Sequence, residues 1–460
     1  MSTNAQKDLT PVVPRKYRSI FFMLVSCFAL WGLLNNMTDN LVPAFKNIFT
    51  IPQEKAALVQ VAFYGAYAVL AIIASILIEE FSYKKGVLIG LGVYILGALC
   101  YIPACINQSF DIYFIAIFVV AAGCSVLETT CNPYVISLGP EKTAVRRLNF
   151  AQAFNPVGSI CGIFLAQQLI LSNLNPATAD ERALMPADQL KAIVHTELFW
   201  VCAPYVGLCA IAFFIWLFFL RAKDTQEAAA AEAPATGSGK GGIRVLVAAL
   251  FAVVPLTVLY FLFPDMDKVH WVLYGTLGPI FYLFLVGDYR AMLFSLLSQP
   301  RYWCGVIAQF FYVGAQIMCW TFIIQYADYL GIDKATAQKF NIIAMALFVA
   351  SRFTSTYLMK YISSRQLLMY FGIGACIATS GTILIEGIAG LYCLIAISAF
   401  MSLMFPSIYG IALEGVKAED TTLGAAFLVM AIVGGAIMPP LQGAIIDLGT
   451  IAGMPAVNFS

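Results

Sequence analysis

The stretch "LWGLLNNMTDNLVPAF" (residues 30–45) closes an apolar run that begins near Ser19, yet it carries Asn35, Asn36 and Asp39. A run of about 20 apolar residues is the length that crosses a bilayer. Lipid alone would not tolerate an acid and two amides there, so the reading of this segment decides what kind of fold the chain has. Composition settles the first half of the question. Hydrophobic residues make up 61% of the 460 and charged residues only 11%, and the mean hydropathy is +0.84. That is too little polar surface for a soluble chain, which makes this an all-α polytopic membrane protein. The alternation of an outer-membrane barrel is absent, leaving helices as the spanning element that satisfies its own backbone in lipid.

Apolar runs predict spans near 19–45, 56–78, 86–105, 111–138, 146–171 and 198–220. "AKDTQEAAAAEAPATGSGKGG" (222–242) has the composition of a mobile linker. Two further runs at 245–263 and 271–287 read as an inserted helical hairpin. Spans near 302–325, 336–359, 366–386, 390–413 and 423–446 bring the total to about thirteen. The expected organisation is a six-helix bundle over 1–221, a linker plus hairpin over 222–300, and a second bundle over 301–460 whose last helix is missing. Weak likeness between "FAQAFNPVGSICG" and "FLVMAIVGGAIMPPLQG" supports a duplicated architecture, with its substrate site between the halves near the midplane. With the N-terminus inside, eighteen Lys and Arg fall in cytoplasmic loops and seven outside, so the N-terminus is expected to be cytoplasmic.

Net charge of +1 argues against nucleic acid, the two histidines are far apart, and the twelve cysteines are scattered singly. No metal, cofactor or disulfide framework is expected. An acid at mid-helix costs about 2.5–3.5 kcal/mol on insertion scales, so each one calls for a reason. Asp39 lies at i+3 from Asn36 and i+4 from Asn35, on one helical face. Glu128 precedes Asn132 by four residues, and Asn149, Gln152 and Asn155 form a third polar stripe that ends at Pro156. Three such faces suit a shared aqueous cavity for a hydroxylated ligand. At 1.5 Å per residue Asp39 sits about 30 Å along its helix, nearer the outer mouth than Glu128. A helix cap at Asp39, or interhelical hydrogen bonding by Gln152 and Asn155, is the plainer reading of the same residues. Arg352 lies close enough to a helix end to extend towards the cytoplasmic interface. Most of the aromatic residues are expected to face lipid or form interfacial belts; a few, with Tyr64, Tyr312 or Trp320 as examples, could stack on a ligand ring, and composition does not pick them.

At these residues the chain resembles a known family. "FALWGLLNNMTDNLVPAFK", "LETTCNPYVISLGPE", "RLNFAQAFN", "FFYVGAQIMCW" and "SAFMSLMFPSIYGIAL" are similar to segments of the fucose, galactose and glucose:proton symporter branch of the major facilitator superfamily, with L-fucose the best motif match. The likeness runs from about residue 19 to 450, except for 222–290. It implies a secondary active transporter, not an enzyme, in the bacterial inner membrane. The resemblance implies Asp39 and Glu128 as proton-coupling residues, with Asn35, Asn36, Glu128, Gln152, Asn155 and, from the second half, Gln316 as sugar ligands. The proton is the coupling ion, and the expected state is a monomer in lipid. Glucose/galactose:proton symport and uncoupled facilitation of the same fold stay open. The hairpin and the missing last helix depart from the family pattern, and "LIEEFSYKKG" places Glu80 where a basic residue is usual.

Overall fold

Four of the described helices begin at a residue whose side chain caps the first turn. The computed structural model describes residues 11–455 apart from 40, 52, 178–180, 183, 223–240, 263–267, 386, 447, 449 and 452–453. Before the linker come α1 (Arg18–Asp39), α2 (Leu41–Ile48), α3 (Gln53–Glu80), α4 (Tyr83–Leu99), α5 (Tyr101–Ile106) and α6 (Phe110–Ser137). They are followed by α7 (Ala144–Gln152), α8 (Phe154–Leu165) and α9 (Ala187–Arg221). Ser82 accepts from the Lys85 amide at the start of α4, and Ser109 from the Ile112 amide at the start of α6, each satisfying an N–H that the helix itself leaves unpaired.

After the linker come α10 (Gly241–Leu262), α11 (Lys268–Leu285), α12 (Gly287–Leu297), α13 (Pro300–Tyr329) and α14 (Lys334–Leu358). The rest are α15 (Ser364–Leu384), α16 (Ile388–Met401), α17 (Met404–Leu413), α18 (Thr421–Met430) and α19 (Gly434–Ile446), with a short β1–β2 pair at Thr450–Ile451 and Met454–Pro455. Among the described residues, ten helical segments are long and apolar enough to cross a membrane. The 25-residue α14 is not one of them. It carries Lys339, Asn341 and Arg352, and part of it lines an internal cavity.

Two small-residue contacts set the position of the cavity. A Cβ at Gly158 would lie 2.0 Å from the Ala29 carbonyl oxygen, and one at Gly32 would lie 2.1 Å from that of Asn155. α1 and α8 therefore touch backbone to backbone, which only glycine permits. The contact brings Asn155 alongside the helix of Asn35 and Asn36.

The hairpin predicted at 245–287 forms, and it packs on α3 through Val69, Ile73 and Ala252. Its return helix turns by 104° at Val286 into α12, an element the apolar pattern did not announce. At this end Glu80, the unusual acid of the loop after α3, accepts from Arg244 at 2.8 Å and from the Tyr289 hydroxyl at 3.1 Å. Its neighbour Glu79 accepts from Thr422 of α18 at 2.7 Å.

On the face where α1 begins, the two halves of the chain are joined. Asn149 donates to the Ser407 hydroxyl at 3.2 Å, and Arg146 Nε to the Thr356 carbonyl at 3.2 Å. Together with Glu79–Thr422, these bonds close that face. On the opposite face Gln167 donates to Gln338 across 3.4 Å, a long and exposed bond.

Candidate functional site

A cavity of about 120 Å³ lies between the halves, and it gathers residues from α1, α3, α6, α7 and α8 on one side and from α13, α14, α17 and the turn after α18 on the other. Asn35, Asn36, Glu128, Gln152, Asn155 and Gln316 all line it. Asp39 ends α1, and its side chain lies outside the described residues. The predicted stripe of Asn149, Gln152 and Asn155 divides. Asn149 turns away, donating to the Val145 carbonyl and to Ser407, although it shares α7 with Gln152.

The first-half wall holds most of the polar groups, an acid among them, beside the rings of Trp31, Phe63, Tyr64 and Tyr67. Glu128 is 7% exposed, and among the described residues no hydrogen bond reaches its carboxyl. Gln152 Nε2 donates to Asn132 Oδ1 at 2.7 Å, which fixes the amide and turns its oxygen to other partners. Asn35 Oδ1 is buried with no hydrogen-bond partner among the described residues. A buried acceptor left in that state costs about 1–3 kcal/mol, which a hydroxylated ligand would relieve. α6 runs through Pro133 without a break, so the acid sits on a rigid helix.

The second-half wall is apolar: Val313, Ile317, Trp320, Phe348, Phe405 and Ile432, with Gln316 and Arg352 its polar members. Trp320 Nε1 is a second buried group without a partner among the described residues. Of the aromatic residues named from sequence, Tyr64 and Trp320 line the cavity. Tyr312 does not; its hydroxyl donates to the Met401 carbonyl at 2.9 Å within the second-half core. Trp31, Phe63, Tyr67, Phe348 and Phe405 were missed, since a chain with 14% aromatic residues gives no means of separating cavity rings from lipid-facing ones.

Arg352 also overturns its expected place. It does not reach for the interface: it is 3% exposed and lines the cavity. Its Nη1 donates to the Gln152 carbonyl at 3.2 Å, its Nε donates to the Ser402 carbonyl, and its guanidinium lies 4.6 Å from the Phe348 ring centre. Both carbonyls are free for the same reason. Pro156 follows Gln152 by four residues and Pro406 follows Ser402 by four, and a proline has no N–H to give back to the i−4 carbonyl. One proline in each half thus exposes an acceptor, and one arginine links the two. The spacing was present in the sequence, but nothing in it aims Arg352 at either carbonyl.

The arrangement can hydrogen-bond a small polyhydroxylated ring from one side, cover its apolar face from the other, and hold a proton on a carboxyl in the same cavity. Comparison with known proteins agrees. The chain is 43% identical over 455 residues to the L-fucose-proton symporter of Haemophilus influenzae, covering 98% of this chain and 94% of that one. It is 28% identical to a glucose/galactose transporter of Brucella abortus, over 94% and 89% of the two chains. It superposes on a crystal structure of the E. coli fucose:proton symporter with a TM-score of 0.76 at 31% identity, over 96% and 95% of the chains. The model of the Major Facilitator Superfamily matches residues 20–439. The two-walled cavity, the helix order and these likenesses agree: the chain belongs to the Major Facilitator Superfamily and is an integral membrane transporter, not an enzyme.

Proposed function

We propose that this protein is a proton-coupled symporter that imports L-fucose across the bacterial inner membrane by alternating access, as a monomer with its N-terminus in the cytoplasm. The observation that carries the reading is the convergence of Glu128, Asn35, Gln152 and Asn155 with Gln316 and Trp320 in one cavity between the halves. The Haemophilus influenzae and E. coli proteins named above support the sugar, and the excess of Lys and Arg on the closed face supports the orientation. On this reading the closed face is cytoplasmic, and the cavity fills from the other side.

The proton is the only coupling species, and no cofactor takes part. A carboxyl in a water-poor site is stable neutral and costly when charged. Protonation of Asp39, near the outer end of α1, and of Glu128, in the cavity, lets the loaded carrier change face, while a carrier that holds sugar without the proton resists the change; once both have left, the empty carrier returns. Glu128 and the amides hold the sugar hydroxyls, and Trp320 covers a ring face.

The test is uptake of labelled L-fucose into vesicles carrying the wild type or Asp39→Asn. The wild type should accumulate sugar down an imposed proton gradient and lose that accumulation with an uncoupler. Asp39→Asn should exchange sugar across the membrane without accumulating it. Accumulation insensitive to the uncoupler would make the protein a facilitator. Stronger competition by D-glucose or D-galactose than by unlabelled L-fucose would reassign the substrate.

A further inference from the structure

Beneath the cavity, towards the face where α1 begins, four buried polar side chains lie on helices of both halves. Asn132 of α6 follows the cavity acid Glu128 by four residues, and Asn149 of α7 precedes Gln152 by three. Gln309 of α13 precedes Gln316 by seven, two turns along the same helical face. Tyr409 of α17 follows Phe405, a wall residue of the cavity, by four, and the two rings stack with centres 6.4 Å apart. Each helix therefore repeats, one or two turns further in, the polar or aromatic group that it gives to the cavity. A Cβ at Gly305 would lie 2.5 Å from that of Ala412, and the Tyr312 hydroxyl bonds the Met401 carbonyl. These two contacts bracket Gln309 and Tyr409, which places them on facing stretches of α13 and α17. Asn149 links α7 to α17 through Ser407 at 3.2 Å, so the four belong to one seam.

All four are 0% exposed. Asn132 Nδ2, Asn149 Oδ1, the Tyr409 hydroxyl and both polar atoms of Gln309 have no hydrogen-bond partner among the described residues. Unpaired hydroxyls also occur inside the first half, at Tyr94 and Tyr113, so the lack of a partner does not by itself mark a site. What sets these four apart is their position between the cavity and the closed face, on helices that must part for a ligand to leave this way. Parting breaks Asn149 from Ser407 and frees two more hydrogen-bonding groups. We propose that Asn132, Asn149, Gln309 and Tyr409 form a second, inner binding site for a monosaccharide, completed when this face opens and used on the way out of the cavity. Their amides and hydroxyl both donate and accept, as a ring of hydroxyls requires, and the Tyr409 ring continues the apolar surface of Phe405. Steps of about 4 to 10 Å along the helices let a sugar exchange its hydrogen bonds one at a time with the cavity groups. While the face is closed the groups stay unpaired, a cost that falls on this state alone and eases its opening. The proposal rests on the transporter reading in taking the halves to separate here.

The experiment measures transport by the full chain from each side separately. In vesicles of known orientation, labelled L-fucose outside gives the external KM, and labelled sugar loaded inside gives the internal KM. Tyr409→Phe and Gln309→Met remove unpaired polar atoms with little change of volume. Each should raise the internal KM about five- to tenfold and leave the external KM within about twofold of the wild type. Asn149 is left intact because its bond to Ser407 joins the halves. Thermal unfolding separates this role from a structural one. Removing a group that is unpaired in the closed state should leave Tm unchanged or raise it, whereas removing a needed contact lowers it. Tyr94→Phe takes away an equally unpaired hydroxyl within the first half, and should match Tyr409→Phe in Tm with no change in internal KM. Gln309→Asn keeps the amide and should recover part of the internal affinity. An unchanged internal KM in both variants, an equal rise in both KM values, or a lowered Tm would overturn the inner site while leaving the transport reading in place. A wild type that moves none of L-fucose, D-glucose and D-galactose would overturn both.

Discussion

The two walls of the cavity between the halves differ in how many polar groups they present. The first half presents Asn35, Asn36, Glu128, Gln152 and Asn155 beside the rings of Trp31, Phe63, Tyr64 and Tyr67, while the second presents Val313, Ile317, Trp320, Phe348 and Phe405 around Gln316 and Arg352. One wall can read hydroxyl positions and carry a proton; the other can clamp a ring and move with it. The division also places the costs differently. The polar wall holds an acid with no hydrogen-bond partner among the described residues, so its stability depends on what fills the cavity. The apolar wall holds a cation that donates to two carbonyls and lies over a ring. What differs between the walls is therefore which charge is satisfied by protein and which awaits a ligand.

The largest expected effect comes from removing the geometry of the polar wall altogether. Gly158→Leu sets a side chain where a Cβ alone would lie 2.0 Å from the Ala29 carbonyl oxygen. It should separate α8 from α1, at about 3 kcal/mol or more of overpacking strain. Thermal unfolding in detergent should show a loss of many degrees together with loss of sugar binding, and a Tm near that of the wild type would mean that the helices can part without harm.

Next in size is Arg352→Ala. It leaves the carbonyls of Gln152 and Ser402 unpaired at about 1–3 kcal/mol each and unlinks the walls. Sugar turnover should fall by more than about tenfold, and Arg352→Lys, which can reach one carbonyl at a time, should recover part of it. Turnover unchanged in the alanine variant would show that the walls do not communicate through this residue.

Glu128→Gln tests the polar wall by chemistry alone. An amide accepts more weakly than a carboxylate and cannot exchange a proton, so L-fucose affinity should drop roughly tenfold by calorimetry and proton-driven accumulation should vanish. Unaltered affinity would remove Glu128 from the sugar site.

The smallest effects belong to the clamp. Trp320→Phe keeps a ring but loses the unpartnered indole N–H and should weaken binding about two- to fivefold, with coupling stoichiometry intact. If coupling changes with it, the distinction between a proton-bearing and a ring-holding wall fails.

Much of this was legible in the residues themselves. Composition left helices in lipid as the only architecture, and polar residues at helical spacing inside apolar runs marked Asn35, Asn36, Glu128, Gln152 and Asn155, because lipid penalises each enough to make it conspicuous. The hairpin was legible for the same reason. The 104° turn into α12 was not, since a helix lying along an interface needs no unbroken apolar run. Asn149 leaves the stripe because its partner, Ser407, belongs to the other half of the chain, which a 3.6-residue period does not foresee. Arg352 was sent to the interface because a long cationic chain near a helix end satisfies itself there by default.

What the sequence determined by itself was the membrane class, the set of polar residues that had to be sheltered from lipid, and the two prolines that each free a carbonyl. Periodicity and composition act along one helix at a time, and those features are properties of single helices. Which aromatic residues meet the ligand, where Asn149 turns, and how one arginine joins Gln152 to Ser402 were decided only when the two halves met. The hydrogen bonds among them join residues 50 to 258 positions apart, and no pattern within either segment encodes them.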